Sequence, residues 1–391
     1  MKQSKRPRIS FDANAGVPAT TRALEKFVEI ASKFAANPAS NNQEGRAAQA
    51  VIEKSKLQIA EAFGCSANEL FFTSGATEAN NLAIHGLIGD LEQQFKQKPI
   101  LISSKAEHPS CLAYLRVLQQ RGYKLELLAL DPHARFDINN YTFGDDSCYL
   151  IVAQWANNET GAIQDIAACA AIAGDADNIR WHCDAVQGIG KTLFDDDLLV
   201  ADSFSISGHK FGAPKGCGLL RLKAPSACSP LFFGGGQQDS LRPGTESPAL
   251  VASLTVALLD AIAAQDDFQK SCLLRKRVLL DALEGHEFSF VVNSPQENCL
   301  ANTLSISFSD IDGRMILPAL DIEKISLSAG SACASGAALA SSVLLASNVS
   351  EKMAQASVRV SFMESYPDHD VEHELLRLAN TISRLYKVAN P

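Results

Sequence analysis

Between about Phe71 and Leu222, short β-branched runs alternate with helical stretches, and this alternation constrains the fold more than any other feature of the chain. It is the pattern of a mostly parallel sheet flanked by helices, because parallel neighbours need a long crossover between them. Candidate strands are Pro99–Ser103, Cys148–Ala153, Ile179–Cys183 and Asp202–Ile206, with a hairpin-like return at Gly218–Leu222. Helical periodicity covers Arg46–Phe63, closed by Gly64, and Glu78–Ile88, closed by Gly89. His108, Asn158, Asp184 and Lys210 each follow the C-terminal end of a candidate strand. Open α/β sheets bind ligands outside those ends, so four reactive side chains at one sheet edge predict a cofactor site.

The chain has 391 residues, more than one compact core accommodates. A glycine- and proline-rich passage runs from Phe233 to Pro248, and a long helix from about Pro248 leads into a second region. That region has its own strand, Asn302–Phe308, and late helices. The expected division is a large α/β domain over 16–255 and a smaller α+β domain built on 256–391. A net charge of −9 argues against a nucleic-acid-binding surface. The apolar stretch from Ala249 to Ala264 is broken by Ser253, Thr255 and Asp260, which reads as a buried helix and not a membrane span. Met1 to Arg8 is basic but lacks an apolar core, so no secretory signal is expected. Ten cysteines occur singly, without a CxxC pair or metal-ligand spacing. They predict reduced, mostly buried thiols in a cytoplasmic protein and no metal site.

The segment Ser205-Ile206-Ser207-Gly208-His209-Lys210 puts one lysine at the mouth of the sheet, where partial desolvation favours a neutral, nucleophilic amine. Ser207 and His209 suit an anion such as a phosphate; an ordinary loop is the competing reading. Thr73-Ser74-Gly75-Ala76-Thr77-Glu78 opens a helix, so Gly75, Ala76 and Thr77 offer a phosphate cradle. The plain alternative is capping by Ser74 or Thr77. A Schiff-base lysine with phosphate ligands is what pyridoxal phosphate (PLP) demands. That cofactor also needs an anion at its pyridine nitrogen, which Asp184 in Trp181-His182-Cys183-Asp184-Ala185-Val186-Gln187 supplies unless it caps a helix. Gln187 would reach the phenolic oxygen. His108 in Glu107-His108-Pro109-Ser110 would stack on the ring and move protons, or would cap the next helix. Asn158 lies in a turn, with its side chain available to the cofactor and a substrate carboxylate. Leu327 to Gly336 is a run of small and polar residues around Cys333, suited to a mobile loop with an accessible thiol. Arg359 in Ser357-Val358-Arg359-Val360-Ser361 either grips an α-carboxylate bidentately or makes a surface ion pair.

These residues resemble the cysteine desulfurases, class V members of the fold type I PLP-dependent transferases, over nearly the whole chain. The resemblance is carried by Phe72 to Glu78, Glu107-His108, Asn157-Asn158-Glu159, Asp184 to Gln187, Ser207 to Lys210, Gly234-Gly235-Gly236-Gln237, Arg242-Pro243-Gly244-Thr245 and Gly330 to Cys333. It implies that residues 1–15 join the small domain and that the protein is a homodimer, with Thr245 a phosphate ligand supplied to the other subunit's site. It implies that L-cysteine is held by Arg359, Asn158 and Asn14, while Lys210 takes the α-proton. Cys333 would then take the sulfur as a persulfide, releasing alanine, with His108 shuttling protons. The loop type implies delivery to a sulfur-acceptor protein, an iron–sulfur scaffold being one candidate.

The sequence also departs from the family pattern. The usual Asp-x-x-Ala-Thr-Thr reads Asp12-Ala13-Asn14-Ala15-Gly16-Val17, and no histidine precedes Gly45-Arg46. Met363-Glu364 replaces a Gly-Arg pair after Arg359, and an extended tail that grips a scaffold is not expected beyond Pro391. Alternatives on the same residues are a selenocysteine lyase, another class V PLP enzyme, or a non-catalytic accessory protein of this fold. An aminotransferase has no use for Cys333.

Overall fold

The computed structural model describes residues 7–174, 176–329 and 340–390. Its strands, in chain order, are β1 (Ile9–Ser10), β2 (Leu70–Thr73), β3 (Ile100–Ser104), β4 (Leu125–Leu128), β5 (Tyr149–Gln154) and β6 (Ile179–Asp184). There follow β7 (Ser203–Ser207), β8 (Gly218–Leu222), β9 (Phe290–Val292), β10 (Thr303–Phe308), β11 (Ile325–Ser326) and β12 (Ser357–Ser361). Seven of them form the main sheet in the spatial order β2-β8-β7-β6-β5-β3-β4. All pairings are parallel except those of β8, which runs antiparallel to both β7 and β2. The hairpin-like return expected at Gly218–Leu222 is this strand.

Helices cover both faces of the sheet, so β5 (YLIVAQ) is buried at every position. One face packs the cluster of Ile151, Trp155, Trp181, Phe204 and Leu254; the other packs Ile84, Leu101, Leu115 and Leu150. The helix Pro248–Ala263 is largely buried, with Ala249, Leu254, Ala257 and Leu258 inside. It meets Gln265–Glu284 at a 65° bend, and among the described residues no single helix is long and apolar enough to cross a membrane. A separate apolar cluster joins Ile9 and Phe11 to Leu279, Ile306, Phe308, Val360 and Leu378. There β12, β10 and β9 form an antiparallel sheet, and β1 pairs with β11.

One helix boundary differs from the sequence expectation. The helix expected to stop at Gly89 runs Ala76–Phe95 and ends at Lys96 in a left-handed conformation. Gly89 is glycine for packing: a Cβ there would sit 3.0 Å from the Ser229 hydroxyl. Gly86, one turn earlier, would bring a Cβ to 2.8 Å from Cys228. The two glycines admit the 228–229 segment against the helix.

Candidate active site

The carboxyl ends of β3, β5, β6 and β7 open into a cavity of about 700 Å³. Lys210, His108, Asp184, Gln187, Asn158, Ser207, His209, Gly75, Ala76, Thr77, Asn14 and Arg359 all line it. Two expected site residues are not among these. Thr245 is exposed and does not line its own chain's cavity. Cys333 lies outside the described residues, but the chain before its segment is tied to Asp12, the partner of Arg359, and the chain after it to cavity-lining Glu159. Ser328 donates its hydroxyl to Asp12 Oδ2 (2.7 Å), and Ser341 donates to buried Glu159. Ser342 and Val343, just beyond, line the cavity.

At the phosphate end, neither Ser74 nor Thr77 caps the helix. The N-cap is Gly75, no side chain caps it, and the amide of Ser74 instead reaches Glu78 Oε2 (2.8 Å). A long helix therefore presents bare N–H groups to the cavity, which is an anion site. Opposite stand Ser207 Oγ and His209 Nδ1, 3.0 Å apart. Burial first, then the charges of Lys210, Lys215 and Lys191, push His209 down to about 4, so its imidazole is neutral near pH 7. The altered N-terminal motif has a local reason: Gly16 has φ +153, and a Cβ there would lie 3.0 Å from His209 Cδ2. Threonine at this position would press on the phosphate-end histidine.

Lys210 follows β7 in a single 3₁₀ turn, its Nζ donating to the carbonyls of Asn14 (2.7 Å) and Ala15 (3.1 Å). Asp184 ends β6, and the turn after it is held by the Val186 amide on Oδ1 (3.1 Å); no helix starts there for it to cap. Capping does not take His108 away from the cavity. His108 is the N-cap of Pro109–Gln120, with Nδ1 accepting from the Ser110 amide (3.1 Å), and its ring lines the cavity. Desolvation lowers its pKa, with Lys210 adding to the effect and Asp184 opposing it.

Arg359 makes an ion pair that is not on the surface. Its side chain is 2% exposed and its NH2 meets Asp12 Oδ1 at 2.6 Å. The bare edge of β12 is covered because the Arg359 amide donates to Ser328 and Asp12 bridges Ser361. NH1 donates to the Asn158 carbonyl (3.0 Å), while Nε is buried without a partner. That orphan donor on a cavity-lining guanidinium fits an anionic ligand better than a closed structural pair.

Three groups escaped the sequence reading. Lys191 is fully buried and holds Asn14 Oδ1 (3.1 Å) and Gln187 Oε1, which turns the Gln187 amide nitrogen toward the Asn14 carbonyl (3.1 Å). Asn80 and His182 form a polar knot beneath Asp184, with His182 Nε2 3.0 Å from Asn80 Oδ1. An asparagine inside the buried face of a helix was the available signal. Burial pushes His182 down to about 3. The unfolded chain therefore takes up a proton that the folded chain refuses as pH falls from 6.5. The stability from a neutral His182 is complete above that value and is lost on acidification. The loss is roughly 2 kcal/mol by about pH 5. His182→Gln should lose less of its Tm than the wild type between about pH 7.5 and about pH 5. Parallel losses would show that His182 does not govern this window.

The sequence profile of the Aminotransferase class-V family matches residues 9–373. A cysteine desulfurase, IscS, from Dictyoglomus turgidum is 32% identical over 97% of this chain and 96% of its own length. The cysteine desulfurase NifS of Azotobacter vinelandii is 31% identical over 95% of this chain and 92% of its own. Among solved structures, a NifS-like protein superimposes with a TM-score of 0.86 at 28% identity, covering 97% of this chain and 100% of that one. SspA in complex with cysteine gives a TM-score of 0.77 at 30% identity, over 90% of this chain and 98% of that one.

Proposed function

The chain belongs to the class-V aminotransferase family, and we propose that it is a PLP-dependent cysteine desulfurase acting as a homodimer. It converts L-cysteine to L-alanine and passes the sulfur, as a persulfide on Cys333, to an acceptor protein. The observation that carries this reading is the convergence of Lys210, Asp184, His108 and Arg359 on one cavity with an uncapped helix N-terminus. The residues present fit the cofactor. Bare amides of the Ala76–Phe95 helix, Ser207 and neutral His209 suit a phosphate, and Asp184 suits a pyridinium nitrogen. A Cβ at Gly75 would fill space 3.8 Å from the Ser207 hydroxyl, within that cradle.

Bound here, PLP supplies an electrophilic carbon for the substrate amine and a ring that draws electrons from the α-carbon. Asp184, nearly buried and hydrogen-bonded through both oxygens, holds the proton on the ring nitrogen. Arg359 grips the substrate carboxylate from a position fixed by Asp12 and the Asn158 carbonyl. Lys210 removes the α-proton. The Cys333 thiolate attacks the substrate sulfur, forming the S–S bond as the C–S bond breaks. The electron pair left on the β-carbon is protonated through Lys210 or His108, Lys210 returns a proton to the α-carbon, and alanine departs. Thr245, exposed and away from its own cavity, is free to complete a second subunit's phosphate site. The nine cysteines described are all free thiols, which supports a reducing, cytoplasmic setting.

The test is PLP-loaded protein given L-cysteine and a reductant. Stoichiometric alanine and sulfide support the reading. A PLP-loaded protein that releases no alanine, with or without candidate acceptors, defeats it.

A further inference from the structure

Asn80 is fully buried, and all four hydrogen-bonding capacities of its amide are used. Its nitrogen donates to Asp184 Oδ2 (2.9 Å) and to Ser110 Oγ (2.8 Å). Its oxygen accepts from His182 Nε2 (3.0 Å) and from the Ser205 hydroxyl. The far nitrogen of His182 is 2.8 Å from Ser203 Oγ, which closes the set on the sheet side. Because Asp184 Oδ2 accepts, the amide nitrogen must face it, and the amide has one admissible orientation.

The consequences run toward the cavity in two branches. Ser110 Oγ receives the Asn80 hydrogen, so its own proton is left for His108 Nδ1, 2.7 Å away. That nitrogen also accepts the Ser110 amide (3.1 Å). His108 is thereby fixed with its hydrogen on Nε2. In the other branch, the Asn80 N–H and the Val186 amide each donate to one oxygen of Asp184 and together set its plane. We propose that Asn80 is a positioning residue for both sides of the cofactor pocket, orienting Asp184 and holding the Ser110 hydroxyl on His108 Nδ1 through one amide. The proposal rests on the roles given above to Asp184 and His108.

Several other groups face this knot. Glu107 and Cys111 approach Asp184 from the turn and helix after β3, Cys183 from its own strand, and Lys210 lies across the cavity beside His108. Burial raises Glu107 well above its ordinary value and raises both thiols. Neither thiol then adds a negative charge near neutral pH.

Two substitutions separate positioning from packing. Asn80→Ala donates at no pH, and Asn80→Asp donates to Asp184 only while the new carboxyl is protonated. Apo proteins, checked by thermal unfolding, would be titrated with PLP and followed by the cofactor's absorption band at about pH 5.5 and about pH 9. Wild type should bind at both. Asn80→Ala should bind roughly tenfold or more weakly at both, the loss of one hydrogen bond to a charged group. Asn80→Asp should approach wild type at the lower pH and Asn80→Ala at the higher one, because adjacent carboxylates cannot both ionise cheaply. Wild-type affinity and an unmoved band in both variants at both pH values would overturn the proposal. Failure of the wild type itself to bind PLP would overturn the cofactor reading with it. Should the Asn80 variants not fold, Ser110→Ala removes only the His108 branch. Loss of that hydroxyl should move the acid limb of the alanine-release profile to higher pH, and a superimposable profile would refute the branch.

Discussion

Lys210→Ala should reduce alanine release from L-cysteine by roughly 10⁴-fold or more, since one side chain supplies both the covalent anchor and the base. The protein should still take up PLP, because the phosphate end and Asp184 are untouched. The position explains the severity. Lys210 leaves β7, an inner strand of the sheet, and its Nζ sits over the carbonyls of Asn14 and Ala15. Two other lysines compete for the assignment. Lys215 lines the same cavity, and Lys191 is buried against Asn14 and Gln187. Borohydride reduction of the loaded protein followed by peptide mass analysis distinguishes them. A cofactor mass on the Lys210 peptide, absent from the variant, is the expected result. Label on Lys191 or Lys215, or an active Lys210→Ala, would remove Lys210 from the mechanism.

The parts of this site that were legible in the sequence are those created by one strand and the residues directly after it. His108, Asp184 and Lys210 follow apolar runs that could only be buried strands, so their placement at the carboxyl edge came from local pattern. Local pattern failed where packing decided. Gly89 looked like a helix stop, yet it is small because Ser229 crosses there. The edge strand β4 was missed because Leu125–Leu128 is only half buried and carries little alternation. Arg359 could be reduced to two uses, and the structure gives it features of both: an ion pair with Asp12, buried at the cavity wall. Asn80 left one local hint, an asparagine on a buried helix face, and His182 and Lys191 left none. Their meaning depends on partners 102, 104 and 177 residues away, and nothing within a sequence window records such pairings.

Cys333→Ala should abolish sulfur transfer while leaving the PLP band intact, with alanine release falling to the level of uncatalysed background. The nine other cysteines give the reason. None of them lines the cavity, and burial is the first cause raising the pKa of every one. Cys169, Cys217 and Cys228 are pushed up to about 12, and Cys65 and Cys272 to about 11. A nucleophile must be a thiolate near neutral pH, so these side chains behave as apolar filler. Cys333 lies in a run of small and polar residues, in a segment whose two flanks are hydrogen-bonded to Asp12, the partner of Arg359, and to cavity-lining Glu159. The check is mass analysis of the wild type after brief exposure to L-cysteine without reductant. One added sulfur on the Cys333 peptide, together with an inactive Cys333→Ala that still binds PLP, is the expected pair of results. Equal alanine from wild type and variant, or a persulfide on one of the other nine thiols, would show that the sulfur leaves the substrate by another route.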